Sequence, residues 1–517
     1  MTTGSEAVSR TDHDVVVLGG GPAGCAAATL LARRGHDVAL VRPRVPPAGA
    51  LAESVPPSTD KLLAELDVLD ALEHAGFHRN GGNTVWWAGA EARVETFDEG
   101  RFGFHADRAG LETVMSGVAR AAGVQVYDAV ARGAEESEAG WVIRCGAGAG
   151  STSDFRAPWV LDATGRRGLI AGGEGREPDR STTTLALVRR WRRPGGFAEV
   201  EPTHTLVESY PDGWAWSVPL DSEVRCFTAM VDHRHVELSG LELDAALDAE
   251  LDKARRVGAS RVGAVPLGRA WACPASLYTS TRFGRPSLLL VGDAGSFIDP
   301  LSSFGVKKAL SSGWLAAVVV NTALVDAPMR DVAVGFFDER EREVYRKYRA
   351  QSADFFEACA LEYGHEYWTT RAEAARVAGG RGGAAPTDLN ALDGEGGVPV
   401  EAAREALEWI RARPSLDAVR GASVRTVERP MVAGHRVVLA EHLASDRAPM
   451  GLRYVRSVDL RHVVEVAPRH ADVPEGWSAY NAGASAVTFP DYLAALATAF
   501  AAGILEHSDE PRPRGTP

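Results

Sequence analysis

The chain has 517 residues, 45% of them hydrophobic and 24% charged, and a formal net charge of −13. That length holds about two or three domains, and that balance belongs to a soluble globular protein. The acidic charge, with no stripe of Lys and Arg interleaved with aromatics, argues against a nucleic-acid footprint. The five cysteines (25, 145, 226, 273, 359) are scattered and form no C-x-x-C pair, so neither a disulfide framework nor a metal site is expected. The opening stretch MTTGSEAVSRTDHD is polar and lacks a signal-peptide core. The longest apolar run, LAAVVV at 315–320, is too short to cross a bilayer, so a cytoplasmic protein with no membrane partner is expected.

In chain order, DVVVL at 14–18 reads as a buried parallel strand. GGGPAG follows, then a helix through CAAATLLARRG with its stop at Gly35, then a strand at 36–41: a βαβ unit. Residues 59–75 read as helix, and 84–87 and 92–97 as strands. A helix over 107–122 is capped by Asp107 and leads into the strand VQVYDA. WVLDATG (159–165) and SLLLVGDAG (287–295) are apolar strands that end in turns. Between them, 181–233 alternates like a sheet. Helices are expected from about 304 to 325 and over 336–363. Residues 376–399, rich in Gly, Pro and Asp, read as a linker. Beyond it come helices near 400–412, 458–466, 474–481 and 490–506, with strands at 432–440 and 452–457.

Gly19, Gly21 and Gly24 form G-x-G-x-x-G between a strand and a helix. The turn brings the backbone close to a pyrophosphate and points a helix N-terminus at its charge. The next strand should end in Asp or Glu to hold the adenosine ribose. It ends in Arg42, which cannot accept those hydroxyl protons but can stack on adenine or pair with phosphate.

Taken together, DVVVLGGGPAG, DATG (162–165) and GDAGSFIDPLSSFGV (292–306) resemble the FAD-binding fold of aromatic hydroxylases, geranylgeranyl reductases and flavin-dependent halogenases. The resemblance covers about residues 12–350. It implies an α/β, glutathione-reductase-like FAD-binding fold of the p-hydroxybenzoate-hydroxylase type, with a β-sheet substrate domain and a small appended α+β C-terminal module. The expected division is FAD domain 1–180 and 267–375, substrate domain 181–266, linker 376–399 and C-terminal module 400–517. The resemblance further implies that Asp293 reaches the ribityl–pyrophosphate region and that Arg108 lies by the cofactor.

Three stretches resemble the halogenase branch: ESVPPSTDKLLAEL at 53–66; Phe297, Pro300, Ser303 and Gly305 in F-x-x-P-x-x-S-x-G spacing; and Trp214, Trp216 and Pro219 in W-x-W-x-x-P. In that branch, backbone N–H groups of the Pro300–Val306 turn would hold an anion against the flavin. Residues i and i+2 of a strand share a face, so Trp214 and Trp216 are either core or, with Trp87, Phe297 and Ser303, walls of a substrate site. The branch also uses a lysine, which by spacing falls near Arg79 or Asn80, yet no lysine lies between Lys61 and Lys253. Arg79 stays protonated and cannot serve as the nitrogen nucleophile.

The reading is an FAD-dependent monooxygenase of a specialised biosynthetic pathway, hydroxylating an aromatic group through a flavin C4a-hydroperoxide. Its substrate is free or carried on a peptide or carrier protein, because the C-terminal helices loosely resemble winged-helix peptide-docking domains. Electrons come from a flavin reductase or from NAD(P)H. Arg79, His78 and Lys307 are the candidate catalytic groups. Halogenation, a geranylgeranyl-type reduction and a non-catalytic peptide-presenting role stay open as alternatives.

Overall fold

The computed structural model describes residues 9–44, 51–98, 100–146, 152–180, 182–197, 201–235, 242–302, 304–379, 398–483 and 486–508. The chain forms two units, Met1–Ala385 with Gly434–Arg436, and Pro386–Ala433 with Val437–Pro517.

In the first unit, the run VVVL buries four successive side chains as strand Val15–Leu18, one face covered by helix Pro22–Arg33 and the other, with Val16 and Leu18, packed on Ile143 and Phe155 of a flanking sheet. It lies between Trp159–Asp162 and Val38–Arg42 in a sheet that continues to Leu288–Leu290 on one side and Gln125–Asp128 on the other, all parallel, with Gly284–Arg285 antiparallel at one edge. Helix Pro22–Arg33 fills the first crossover, and the chain turns out of it at Gly35, whose φ of +88° suits glycine. Three further strands, Val130–Ser137, Gly140–Gly146 and Thr152–Ala157, form a flanking meander that the sequence reading left unassigned.

A seven-stranded sheet carries the second half of this unit. Its order is Val265–Pro274, Thr184–Arg192, Val224–Asp232, Gly213–Pro219, His204–Tyr210, Gly82–Trp86 and Ala92–Thr96. The sheet is therefore wider than the expected 181–266 segment, because 82–96 joins it through a parallel pairing with 204–210. The helix expected over 59–75 is broken into Asp60–Glu65 and Leu69–His74, with Asp67 between them at φ +50°.

Helix Gly305–Val325 carries Lys307 and Lys308 in its first turn and is otherwise mainly apolar, and 78% of its most apolar stretch is buried inside the protein. It packs on helix Pro22–Arg33 at Gly313, where a Cβ would come within 2.4 Å of the Ala23 carbonyl oxygen. The next helix begins at Arg330, earlier than expected, and runs to Tyr363. Helix Glu366–Gly379 then occupies the start of the expected linker; residues 380–397 lie outside the described residues.

The second unit has its own core. Helices Val400–Arg411, Leu460–Val466 and Phe489–Ala501 bury Ile410, Leu460, Val463, Ala495, Leu496 and Ala499 together. Its last helix stops at Ala501 rather than 506. Gly503 takes φ +65°, and Leu505–His507 becomes a strand paired with Ala418–Arg420.

Candidate flavin site and the aromatic wall

The glycine turn is as tight as its sequence implies. Gly19 has φ +104°, and a Cβ there would meet the Ala163 carbonyl oxygen at 2.3 Å; a Cβ on Gly24 would meet the Gly19 oxygen at 1.9 Å. Gly21 caps the helix with no side-chain hydrogen bond, and Pro22 occupies its first turn. The first N–H groups of that helix therefore have no side-chain acceptor, which leaves a positive end for an anion.

The other two motifs converge on this turn. Asp162 is fully buried and caps its own turn, accepting from Thr164 N (3.1 Å), Thr164 Oγ1 (2.6 Å) and Ile170 N (2.7 Å). Gly292 has φ +65°, and a Cβ there would sit 2.9 Å from Ala23 Cβ, so the second motif packs directly on the first helix.

Arg42 and Arg108 flank the glycines. Arg42 lies across Gly20, whose Cβ position is 2.6 Å from Arg42 Cδ. Its Nη2 is 3.4 Å from Asp128 on the neighbouring strand, and its buried Nε has no partner. Arg108 Nη2 is 3.2 Å from the Cβ position of Gly21. It pairs with Glu53 at 2.6 Å and Glu112 at 2.9 Å. Burial disfavours its charge, but these two carboxylates more than compensate and hold its pKa above the ordinary guanidinium value. A cradle that admits only glycine, an unpartnered guanidinium nitrogen beside it and a bare helix N-terminus fit the pyrophosphate of FAD.

A second surface adjoins these segments. Trp214 and Trp216 stack with centroids 4.9 Å apart, as their spacing on one strand predicts. They are not equivalent. Trp214 is 2% exposed and is core, packed edge-on against Trp87 at 5.9 Å. Trp216, Trp87, Phe297 and Leu301 are only partly buried at the margin of the same cluster, together with Leu51. Trp86 packs on the opposite side, with the cluster of Leu187 and Phe227. Trp87 is fixed by its Nε1–H donating to the Phe355 carbonyl (2.9 Å) and by edge contact with Trp368 at 5.4 Å. Phe297 lies between Tyr278 (6.0 Å, stacked) and the Arg166 guanidinium (5.5 Å). Phe297 immediately follows the 292–296 turn and Leu51 immediately precedes the Ala52–Val55 strand. The aromatic margin is thus built directly onto the segments that form the glycine-turn site.

The candidate catalytic residues are placed differently from one another. Arg79 is exposed, with its guanidinium 4.8 Å over Phe102. His78 bonds through Nε2 to the Pro202 carbonyl (2.9 Å) and lies beside His105. Neither is drawn into the aromatic cluster. Asn80 is 1% exposed; its amide donates to Ser54 Oγ (2.9 Å) and accepts from Gly82 N (3.1 Å). Lys307 reaches Ser58 Oγ at 3.2 Å, across to the segment that follows Glu53, and burial followed by the charge of Lys347 lowers its pKa. Pro300 opens a short 3-10 turn, Gly305 is exposed at the helix start and Val306 is buried; Ser303 lies outside the described residues. Sequence reasoning missed Glu53 as the partner of Arg108. Nor did it assign a role to Lys308, which falls on a helix face shared with Ser312 and Leu315.

Fold and site define an FAD-dependent oxidoreductase. Two family models match: that of tryptophan halogenase over residues 89–376, more than half of the chain, and that of glucose inhibited division protein A over residues 14–72. The chain belongs to the tryptophan halogenase family. A tryptophan 2-halogenase of Chondromyces crocatus is 28% identical over 374 residues, covering 69% of this chain and 70% of the relative. The 1H-pyrrole-2-carbonyl-[peptidyl-carrier protein] chlorinase of Pseudomonas fluorescens is 25% identical over 344 residues, covering 60% and 76%. Among solved structures, the flavin-dependent halogenase CmlS superposes with a TM-score of 0.75 at 18% identity, covering 96% of each chain. The peptidyl tryptophan dihydroxylase QhpG superposes with a TM-score of 0.63 at 22% identity, covering 92% of this chain and 96% of its own.

Proposed function

We propose that this enzyme is a monooxygenase that hydroxylates an aromatic group held against the wall of Trp87, Trp216 and Phe297. The observation that carries the reading is the strand His78–Asn80, where the branch's lysine would fall. Its outward side chain, Arg79, is exposed on Phe102, and its inward side chain, Asn80, is committed to Ser54 and Gly82. No amine stands there to take up an oxidised halogen.

Bound and reduced FAD supplies the activation of dioxygen. One oxygen atom goes to the ring and the other leaves as water, with two electrons and two protons consumed from the donor. The protein's part is positioning and exclusion of water. The glycine turn, Arg42, Arg108 and Asp293 would hold the cofactor. The half-buried indoles would orient the ring and keep the space between cofactor and substrate dry. Electrons would reach the cofactor from a flavin reductase or NAD(P)H. A peptide- or carrier-borne substrate is supported by QhpG, named for a peptidyl tryptophan, and by the carrier-protein chlorinase. Five buried cysteines, none in a disulfide, accord with a cytoplasmic setting.

A second reading, halogenation, is favoured by the family's named activities and by Lys307, a partly desolvated amine beside Ser58. The two separate in one assay. The full-length enzyme is run with FAD, a flavin reductase, NADH, bromide and a tryptophan-containing peptide. The hydroxylase reading expects oxygenated and no brominated product. Bromination that disappears in Lys307→Met would replace it with the second reading.

A further inference from the structure

The turn Gly292–Ser296 is held by its carbonyl oxygens. Lys308 Nζ donates to Gly292 O (3.2 Å) and Ser296 O (2.5 Å). Tyr278 Oη donates to Asp293 O (2.6 Å), Arg176 Nη2 to Ala294 O (3.0 Å) and Ser280 Oγ to Gly295 O (2.8 Å). Five successive carbonyls are thus bonded by four side chains from three separate stretches of chain, Tyr278 and Ser280 sharing one strand. Lys308 is the only one of the four that spans the turn from end to end. It also lies 3.5 Å from Asp293 Oδ1.

The two side chains differ in access. The Lys308 side chain is 1% exposed and that of Asp293 is 27% exposed, so the cation is sealed behind the turn while the carboxylate emerges from it. A lysine buried to this degree needs acceptors and a counter-charge. Glu341 supplies a second carboxylate: it is 3% exposed, bonds to Ser312 and feels the Lys308 charge, and one of its oxygens has no partner. Burial outweighs that cation and raises the Glu341 pKa to about 6. Ser312 Oγ in turn accepts from Gly292 N (2.8 Å). The buried charges therefore connect to both the backbone of the turn and its one emergent side chain.

We infer that Lys308 is a positioning residue for FAD: it fixes the Gly292–Ser296 turn and aims the Asp293 carboxylate at the cofactor. The inference rests on Asp293 facing FAD and is independent of whether the enzyme hydroxylates or halogenates. Lys308 itself touches the turn, so its effect on cofactor binding passes through Asp293.

The test is a double-mutant cycle on full-length apoprotein, titrating FAD and, separately, ADP. The variants are Lys308→Met, Asp293→Asn and both together. Lys308→Met/Glu341→Gln, which removes the stranded carboxylate along with the cation, serves where Lys308→Met alone does not fold. Lys308→Met, or its charge-balanced form, is expected to weaken FAD by about tenfold or more, the loss of a charged hydrogen bond. ADP, which lacks the ribityl end, should bind within about threefold of wild type, and the double variant should be no weaker than Asp293→Asn. Equal losses of FAD and ADP, or additive losses in the cycle, would show Lys308 to be a packing element and overturn the inference. Unchanged FAD affinity in the Lys308 variants, with Asp293→Asn weakened, would do the same. An unweakened Asp293→Asn would overturn the premise about Asp293, a distinct failure.

Discussion

Replacing each tryptophan of the stacked pair by alanine separates core from wall. An indole buries about 200 Å², worth about 5 kcal/mol at about 25 cal/mol per Å²; partial collapse of the unfolded chain makes that an upper bound. Trp214 is 2% exposed, so Trp214→Ala should cost the full core penalty of about 3–5 kcal/mol. Trp216 is partly exposed at the cluster margin. Its replacement should cost about 2 kcal/mol, including the lost stack, which contributes about 0.5–1.5 kcal/mol in either variant. Urea unfolding of the FAD-saturated protein, followed by circular dichroism, reads the difference. The functional order should be the reverse. Trp216→Ala should uncouple the reaction, consuming reduced flavin without product, because water enters where the indole stood. Equal destabilisation by the two variants, with coupling intact in Trp216→Ala, would refute the assignment of Trp216 to the wall.

Three more outcomes are expected. Gly24→Ala should abolish FAD binding in a cofactor titration, since its Cβ would lie 1.9 Å from the Gly19 oxygen. Asn80→Lys should lower stability by about 1–3 kcal/mol, by stranding Ser54 and the Gly82 N–H, without conferring bromination in the bromide assay. His105 is buried, and burial lowers its pKa to about 3 despite its bond to the Thr203 carbonyl. The unfolded chain binds that proton near pH 6.5 and the folded chain only near 3. Stability should therefore fall as pH drops from about 6.5 toward 3, and His105→Gln should flatten that slope in acid-unfolding curves.

The sequence made the FAD unit legible because its motifs encode backbone geometry. Gly19, Gly24 and Gly292 are required by close approaches or by positive φ, and those constraints show as glycines at fixed spacing. The stacked tryptophans were legible from the two-residue period of a strand. What stayed hidden depended on pairing between distant segments. Residues 82–96 joined the large sheet only through partners at 204–210. Trp214 became core only because helix Glu366–Gly379 supplies Trp368, packed with Trp87. Arg79, placed by spacing in the catalytic position, points outward because the three-stranded sheet of Ala52–Val55, Gly103–Asp107 and His78–Asn80 turns Asn80 inward instead. The role of Lys308 stayed hidden because nothing local announces that the 292–296 turn presents its carbonyls to it.

The central claim is that oxygen, not halogen, is delivered to an aromatic ring. It is tested most directly by mass spectrometry of a tryptophan-bearing peptide after turnover with FAD, a flavin reductase and heavy-isotope dioxygen. The account predicts that the ring gains an oxygen atom bearing the heavy label. A product whose added oxygen is unlabelled, or one that carries only halogen when halide is supplied, would contradict it.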